Sequence, residues 1–189
     1  MRKPIIIGIT GRKGCGKDTA ANVLVENFGV HRLAFADPLR DVCKVLFGFS
    51  SKEMLDRSLK ESLRDQYPFE TPRETLQKVG TDCIRTHYPD AWLEAHRRLS
   101  TPILRGGQDV VTPDVRFLNE GFSVRARGGI LIRVDADERL GPETDQHVSE
   151  TEMREIPVDI TMPNNGTEEE FNALCLRVFS ELLQKEPMV

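Results

Sequence analysis

Gly11, Gly14, Gly16 and Lys17, within GITGRKGCGKDT (residues 8–19), have the types and spacing that bind a chain of phosphates. Such a chain is held best by several donors converging at close range. Backbone N–H groups can do this only where no side chain blocks the approach, which the glycines ensure, and a helix starting near Lys17 adds the partial positive charge of its N-terminus. Lys17 can then reach the β- and γ-phosphates of a nucleoside triphosphate, with Lys13, Cys15 and Thr19 in the same loop and turn. The stretch follows G-x-x-x-x-G-K-[ST] except that Asp18 replaces the hydroxyl residue that would hold magnesium. A carboxylate there can reach Mg2+ directly or through water, but it also adds negative charge beside the phosphates. Cys15 could gain thiolate character near a helix N-terminus; the simpler expectation is a small residue that fits.

Magnesium needs a second carboxylate, usually at the end of a neighbouring buried strand. Asp114 in DVVTPDVR (residues 109–116) follows a short apolar run and is the candidate, with Arg116 two residues on. Asp18 and Asp114 are thus the expected metal ligands.

Holding these groups together requires a scaffold, and short β-rich runs alternating with longer helical stretches predict a parallel sheet covered by helices. Strands are expected over residues 4–10, 31–34, 109–112, 130–135 and 158–162, and helices over 17–27, 38–47, 52–64, 72–87, 89–99, 117–127 and 168–184. Thr71-Pro72-Arg73-Glu74 combines a threonine N-cap, proline at the first helical position and glutamate at the third, and Ser50…Glu53, Ser149…Glu152 and Thr167…Glu170 repeat the capping-box spacing. Phe171, Leu174, Val178 and Leu182 form the expected core stripe of the last helix.

With 189 residues, 39% of them apolar, the chain can bury one substantial core, so a single domain over residues 1–189 with insertions is expected. The largest insertion lies between the second and third strands. A formal net charge of −4 gives no support for binding nucleic acid or an anionic membrane, so an anionic ligand must be met locally. The four cysteines form neither a C-x-x-C pair nor a Cys/His cluster, which argues against a zinc site and for a reducing cytoplasm. The opening MRKPIIIGITG is too short for a signal segment, and no run approaches the roughly 20 apolar residues of a membrane span.

Taken in order, GRKGCGKDT, LAFADPLR, TPRETLQKVGTDCIR, DVRFLNE, the HVSE within residues 145–150 and NNGT span nearly the whole chain. Together they resemble the deoxynucleoside monophosphate kinases of tailed bacteriophages, within the wider nucleoside-monophosphate kinase group. The resemblance implies a P-loop α/β fold of three layers, with a five-stranded parallel sheet, a helical acceptor-binding insertion at about residues 36–105 and a lid at about 133–150. It also implies transfer of the γ-phosphoryl group of ATP, with Mg2+, to a deoxynucleoside 5′-monophosphate in a cytoplasm, the host's if the gene is a phage's. Homodimerisation is left open. Phosphomevalonate and dephospho-coenzyme A kinases, or a nucleotide-binding regulator, are the alternatives.

Phosphoryl transfer asks a protein mainly to position two anions and neutralise the moving oxygens, so arginines should converge. Arg73, Gln77, Gly80 and Ile84 fall within roughly a 60° band at 3.6 residues per turn. Arg73 could fork onto the acceptor phosphate, Gln77 could read a base edge and Gly80 would permit close approach. Asp37 and Arg40, after the second strand, lie where parallel sheets bind ligands, and Asp114 and Arg116 also border the acceptor. Arg139 in the lid and Arg116 are candidates to meet the transferring phosphoryl alongside Lys17, while His147 is read as lid structure or an acceptor contact. Asn164-Asn165-Gly166, in the turn before the last helix, resembles the loop that borders adenine in related kinases, with Asn165 the candidate ATP contact; a plain strand-to-helix turn is the alternative. Trp92 is expected to pack rather than to stack on a base.

Overall fold

The computed structural model describes residues 2–62, 71–141 and 152–184. Its sheet contains β1 (Ile6–Thr10), β2 (His31–Arg32), β3 (Val110–Thr112), β4 (Ile130–Asp135) and β5 (Ile160–Pro163), all parallel and ordered β2-β3-β1-β4-β5. Every residue of β1 and β3 is buried. Strands covered on both faces carry unbroken apolar runs, which is why Ile5-Ile6-Ile7 and Val110-Val111 do not alternate.

The two faces of β1 meet different helices. Ile7 and Ile9 join a core with Leu24 of α1 (Lys17–Phe28) and with Phe171, Cys175, Phe179 and Leu183 of the last helix, α9 (Glu168–Leu183). Phe28 and Phe179 meet edge to face, with ring centroids 6.4 Å apart. On the other face, a Cβ at Gly8 would lie 2.7 Å from Leu131 and 3.4 Å from Val124 of α7 (Leu118–Ala126), so glycine lets that helix close on the sheet. The result is the expected three-layer arrangement.

The chain forms two compact units, Met1–Ala34 with Leu99–Val189, and Phe35–Arg98. The second contains α2 (Asp37–Phe47), α3 (Ser51–Leu55), α4 (Arg57–Lys60), α5 (Pro72–Gln77), a π-helical stretch (Lys78–Arg85) and the start of α6 (Ala91–Arg105). Leu39, Cys43, Phe49, Met54, Val79 and Trp92 form its core. A Cβ on Gly80 would lie 2.5 Å from Leu39, and Trp92 Nε1 donates to the Gly80 carbonyl at 3.0 Å. Gly80 therefore serves helix packing rather than the approach of a ligand, and Trp92 packs as expected.

Several boundaries differ from expectation for identifiable reasons. The helix expected over 52–64 breaks at Asp56, which is extended (φ −67°, ψ 130°) and whose carboxylate caps α4 through the Ser58 and Leu59 amides. From Lys78 the backbone is π-helical, so the 3.6-residue wheel stops predicting faces: Val79 is buried beside Gly80, and Cys83 is exposed. Helix α6 passes the expected stop at residue 99 and contains Pro102. Arg127 donates to Ser100 Oγ (2.8 Å) and Thr101 Oγ1 (3.4 Å), so packing overrides the proline signal. The core stripe of α9 is Phe171, Cys175, Phe179 and Leu183, with Leu174, Val178 and Leu182 only partly buried beside it. The capping boxes at Ser50 and Thr167 form. Ser149 lies outside the described residues; Glu152, on the 3-10 turn Glu152–Glu155, accepts from the Leu118 amide at 2.8 Å.

Candidate active site

The connection from β1 leaves toward β2 at one side of the sheet, while β4 leads to β5 at the other. Carboxyl ends at such a reversal form the crevice where open α/β sheets bind ligands. A cavity of about 170 Å³ lies there, lined by Gly11 and Arg12 after β1, Arg133 to Asp135 of β4, Asp137, Met153 and Arg154.

The glycine loop borders this crevice. Gly11 has φ +139°, and a Cβ there would strike the Val134 carbonyl and lie 2.8 Å from Cys15 Sγ. Gly16 (φ +106°) caps α1 and packs so closely on Asn164 Nδ2 and Phe171 that no side chain fits. The Cys15 amide donates to the Arg12 carbonyl at 3.1 Å, closing the loop on itself. Lys17 Nζ donates to the carbonyls of Gly11 and of Arg12 (2.7 Å for the latter), so its ammonium sits across the loop. Cys15 is buried, and desolvation pushes its thiol pKa up against a smaller opposing pull from the Lys17 ammonium. Its burial disfavours the thiolate, in keeping with a small residue that fits the loop.

Two elements after β4 and β5 hold the loop from outside. Arg12 Nη1 donates to Asp137 Oδ1 (2.9 Å) and to the Gly141 carbonyl (2.7 Å), tying the loop to α8 (Asp137–Leu140), a turn not expected from the sequence. From the same turn Arg139 donates to the Gly14 carbonyl (3.0 Å) and the Asn164 carbonyl (3.2 Å). Asn164 Nδ2 donates to the Cys15 carbonyl at 2.8 Å, whereas Asn165 is exposed. Sequence reasoning missed Arg12, and it placed Asn164 in the adenine-bordering turn but chose Asn165 as the contact. The motif's unspecified positions hid the first, and the repeated asparagine hid which of two neighbours faces the loop.

The expected metal ligands are placed differently from one another. Asp114 is half-buried just beyond β3; Thr112 pairs with Gly8 and the Val115 amide donates to the Ile9 carbonyl at 3.2 Å, which sets Asp114 beside the strand leading into the loop. Asp18 lies in the first turn of α1 with its carboxylate 78% exposed and 2.5 Å from Arg32 Nη2. Thr19 is half-buried and Lys13 exposed. Among the described residues no group of three or more His, Cys, Asp or Glu could enclose a metal ion. One or two carboxylates, with phosphate oxygens and water completing the shell, is the donor set magnesium accepts, so these residues fit that ion. Arg116 is half-buried, and its amide donates to the buried Glu120 carboxylate at 2.8 Å.

In the unit formed by Phe35–Arg98, Arg40 pairs with Asp37 one turn away on α2, and its buried Nε has no hydrogen-bond partner among the described residues. Arg73 Nε lies 2.5 Å from Glu61 Oε1, and Gln77 is half-buried at the end of α5. His147 lies outside the described residues. No helix among the described residues is long and apolar enough to cross a membrane.

No protein-family model matches the chain. It is 37% identical over 179 residues to a candidate deoxynucleotide monophosphate kinase of Acanthamoeba polyphaga mimivirus, a match covering 88% of this chain and 92% of that protein. Among solved structures it is similar to a candidate kinase from Chloroflexus aurantiacus (TM-score 0.54, 17% identity, 97% of this chain and 98% of the other). A dephospho-CoA kinase from Campylobacter jejuni is also similar (TM-score 0.50, 12% identity, 96% and 98%). At these identities the structural likeness establishes the fold alone.

Proposed function

This chain belongs to the deoxynucleotide monophosphate kinase family, and from that premise we propose that it transfers the γ-phosphoryl group of ATP to a deoxynucleoside 5′-monophosphate, giving ADP and the deoxynucleoside diphosphate. The observation that carries the reading is the extent of the viral match, 88% of this chain. A glycine loop with a lysine across it, at the sheet's reversal point, supports it independently.

In this mechanism the amides of the loop and the N-terminus of α1 bind the donor's phosphates, with Gly11, Gly14 and Gly16 supplying the positive-φ backbone that shapes the loop and Lys13 and Thr19 at its edges. Lys17 exchanges its carbonyl acceptors for β- and γ-phosphate oxygens and follows the charge onto the leaving group. Asp114, with Asp18 turned from its ion pair with Arg32, would hold Mg2+, which supplies neutralisation of the phosphate oxygens. An acceptor phosphate oxygen is already ionised, so its attack on the γ-phosphorus, with rupture of the bond to the β–γ bridging oxygen, needs no general base. That fits a set of candidates made mostly of cations.

Arg40 and Arg73, each now paired with a carboxylate, are proposed to bind the acceptor phosphate, with Asp37 orienting Arg40. Gln77 is proposed to read the base, Arg116 and Arg139 to meet the moving phosphoryl, and Asn165 to border adenine.

The test is a panel of dAMP, dGMP, dCMP, dTMP, the matching ribonucleotides and dephospho-CoA, each with ATP and Mg2+, monitored for phosphorylated product. At least one deoxynucleotide should give diphosphate stoichiometric with ADP. Product from dephospho-CoA alone would overturn the assignment, as would ADP release indifferent to every acceptor.

A further inference from the structure

Asn164 touches the glycine loop through its side-chain amide while its backbone is anchored to the ends of β4 and α8. Its Nδ2 donates to the Cys15 carbonyl at 2.8 Å, its own amide donates to the Asp135 carbonyl at 2.5 Å, and its carbonyl accepts from Arg139 Nε at 3.2 Å. Arg139 Nη2 closes the circuit on the Gly14 carbonyl at 3.0 Å. Two consecutive loop carbonyls are thereby held from outside, by groups anchored at the ends of β4 and β5.

In a trans peptide the C=O and the next N–H point in opposite directions. Fixing the Cys15 carbonyl on Asn164 therefore fixes the Gly16 N–H facing away from Asn164. Glycine has more backbone freedom than any other residue, and Gly16 at φ +106° would otherwise sample other orientations of this peptide. A donor aligned before its anion arrives binds more strongly, because no ordering free energy is spent on arrival.

We propose that Asn164 is a positioning residue that acts through the Cys15–Gly16 peptide to preorganise the loop for the donor's phosphates. The inference rests on the reading of residues 11–17 as a phosphate-binding loop. It differs from a role in bordering the adenine base, in which Asn164 would touch the nucleoside and leave the loop unchanged.

The discriminating probes are ligands that carry only one half of ATP. Binding of Mg2+–tripolyphosphate is measured by calorimetry, and adenosine is measured as a competitive inhibitor against ATP, for the wild type, Asn164→Ala and Asn164→Asp, each below its own melting temperature. Loss of one aligned charge-assisted donor predicts about tenfold weaker tripolyphosphate binding in Asn164→Ala. The KM for ATP should rise in parallel, with adenosine inhibition and the acceptor KM unchanged. Asn164→Asp keeps the shape against Gly16 and removes the donor, and its loss should persist at high salt, where added repulsion is screened.

Equal losses for adenosine and tripolyphosphate would make Asn164 a base contact and overturn the proposal. So would wild-type tripolyphosphate affinity in either folded variant, or a loss in Asn164→Asp that vanishes with salt. If the wild type itself fails to bind tripolyphosphate, the loop assignment falls first.

Discussion

Replacing Gly16 by alanine tests whether the loop is as tightly built as its contacts indicate. Two separate penalties should add. Alanine at φ +106° adopts a conformation that costs about 1–2 kcal/mol. Its Cβ would also strike Asn164 Nδ2 and lie 3.2 Å from Phe171 Cε1, forcing loss of the bond to the Cys15 carbonyl, worth about 1 kcal/mol, and overpacking worth about 1–3 kcal/mol. Gly128 in the same compact unit isolates the first penalty, since it has φ +74° and nothing within 4 Å of its Cβ position. Gly16→Ala should therefore destabilise by about 2–4 kcal/mol more than Gly128→Ala, which for a chain of this length lowers the melting temperature by about 4–16 °C more. Thermal melts of both variants, and of Gly16→Ala combined with Asn164→Ala, supply the measurement. The excess should shrink in the combined variant because the clashing amide is gone. Equal melting temperatures for Gly16→Ala and Gly128→Ala, or an excess unchanged by removing Asn164, would refute the packing argument.

Lys17→Ala should leave the melting temperature near that of the wild type and lower kcat by about 10²–10³-fold, as for other preorganised cations at developing charge; normal turnover by the folded variant would end the assignment. Arg73→Ala should raise the acceptor KM by about 10–100-fold with little change in the KM for ATP. Its ion pair with Glu61 is partly solvent-exposed and worth under about 1 kcal/mol, so urea unfolding should barely register the change. Alkaline pH should weaken the fold through two buried thiols. Desolvation raises Cys43 from its ordinary 9.0 to about 11 and Cys175 to about 12. Below 9.0 both folded and unfolded chains hold these protons. Above it the unfolded chain releases them first, so stability falls by up to about 1.4 kcal/mol per pH unit and thiol until the folded pKa is passed. Urea midpoints followed from about pH 8 to about pH 10.5 should decline, less steeply in Cys175→Ala; a steeper decline in that variant would reverse the sign.

The sheet was legible because its strands obey local rules. β4 runs over the expected residues, and β1 and β3 are apolar runs bounded by loops, as fully buried strands must be. Helix starts were legible where a side chain caps them, at Ser50, Thr71 and Thr167. What failed were faces and ends set by tertiary contact. The α9 stripe is displaced onto Cys175 and Phe179 because Phe179 packs on Phe28, and α6 runs through Pro102 because Arg127 holds Ser100 and Thr101. The band drawn from Arg73 to Ile84 assumed a period that the π-helical stretch abandons at Lys78.

Within the site the same division has a chemical consequence. Glycines at positive φ and a lysine at fixed spacing are backbone requirements, and a sequence records those directly. The groups that set which way the loop's peptides face come from the ends of β4 and β5, more than a hundred residues away, and depend on which side of a turn each side chain leaves. Asp135 pairs with Pro163 across β4 and β5, and the next amide, that of Asn164, bonds to the Asp135 carbonyl; that register sends Asn164 to the loop and leaves Asn165 exposed. Phe171 of the core helix lies on the same glycine that Asn164 covers, so core packing and loop geometry are one constraint at Gly16. On the proposed reading, a loop fixed this way needs no ordering by the donor's phosphates, which places the binding free energy in the contacts rather than in the ordering of the backbone.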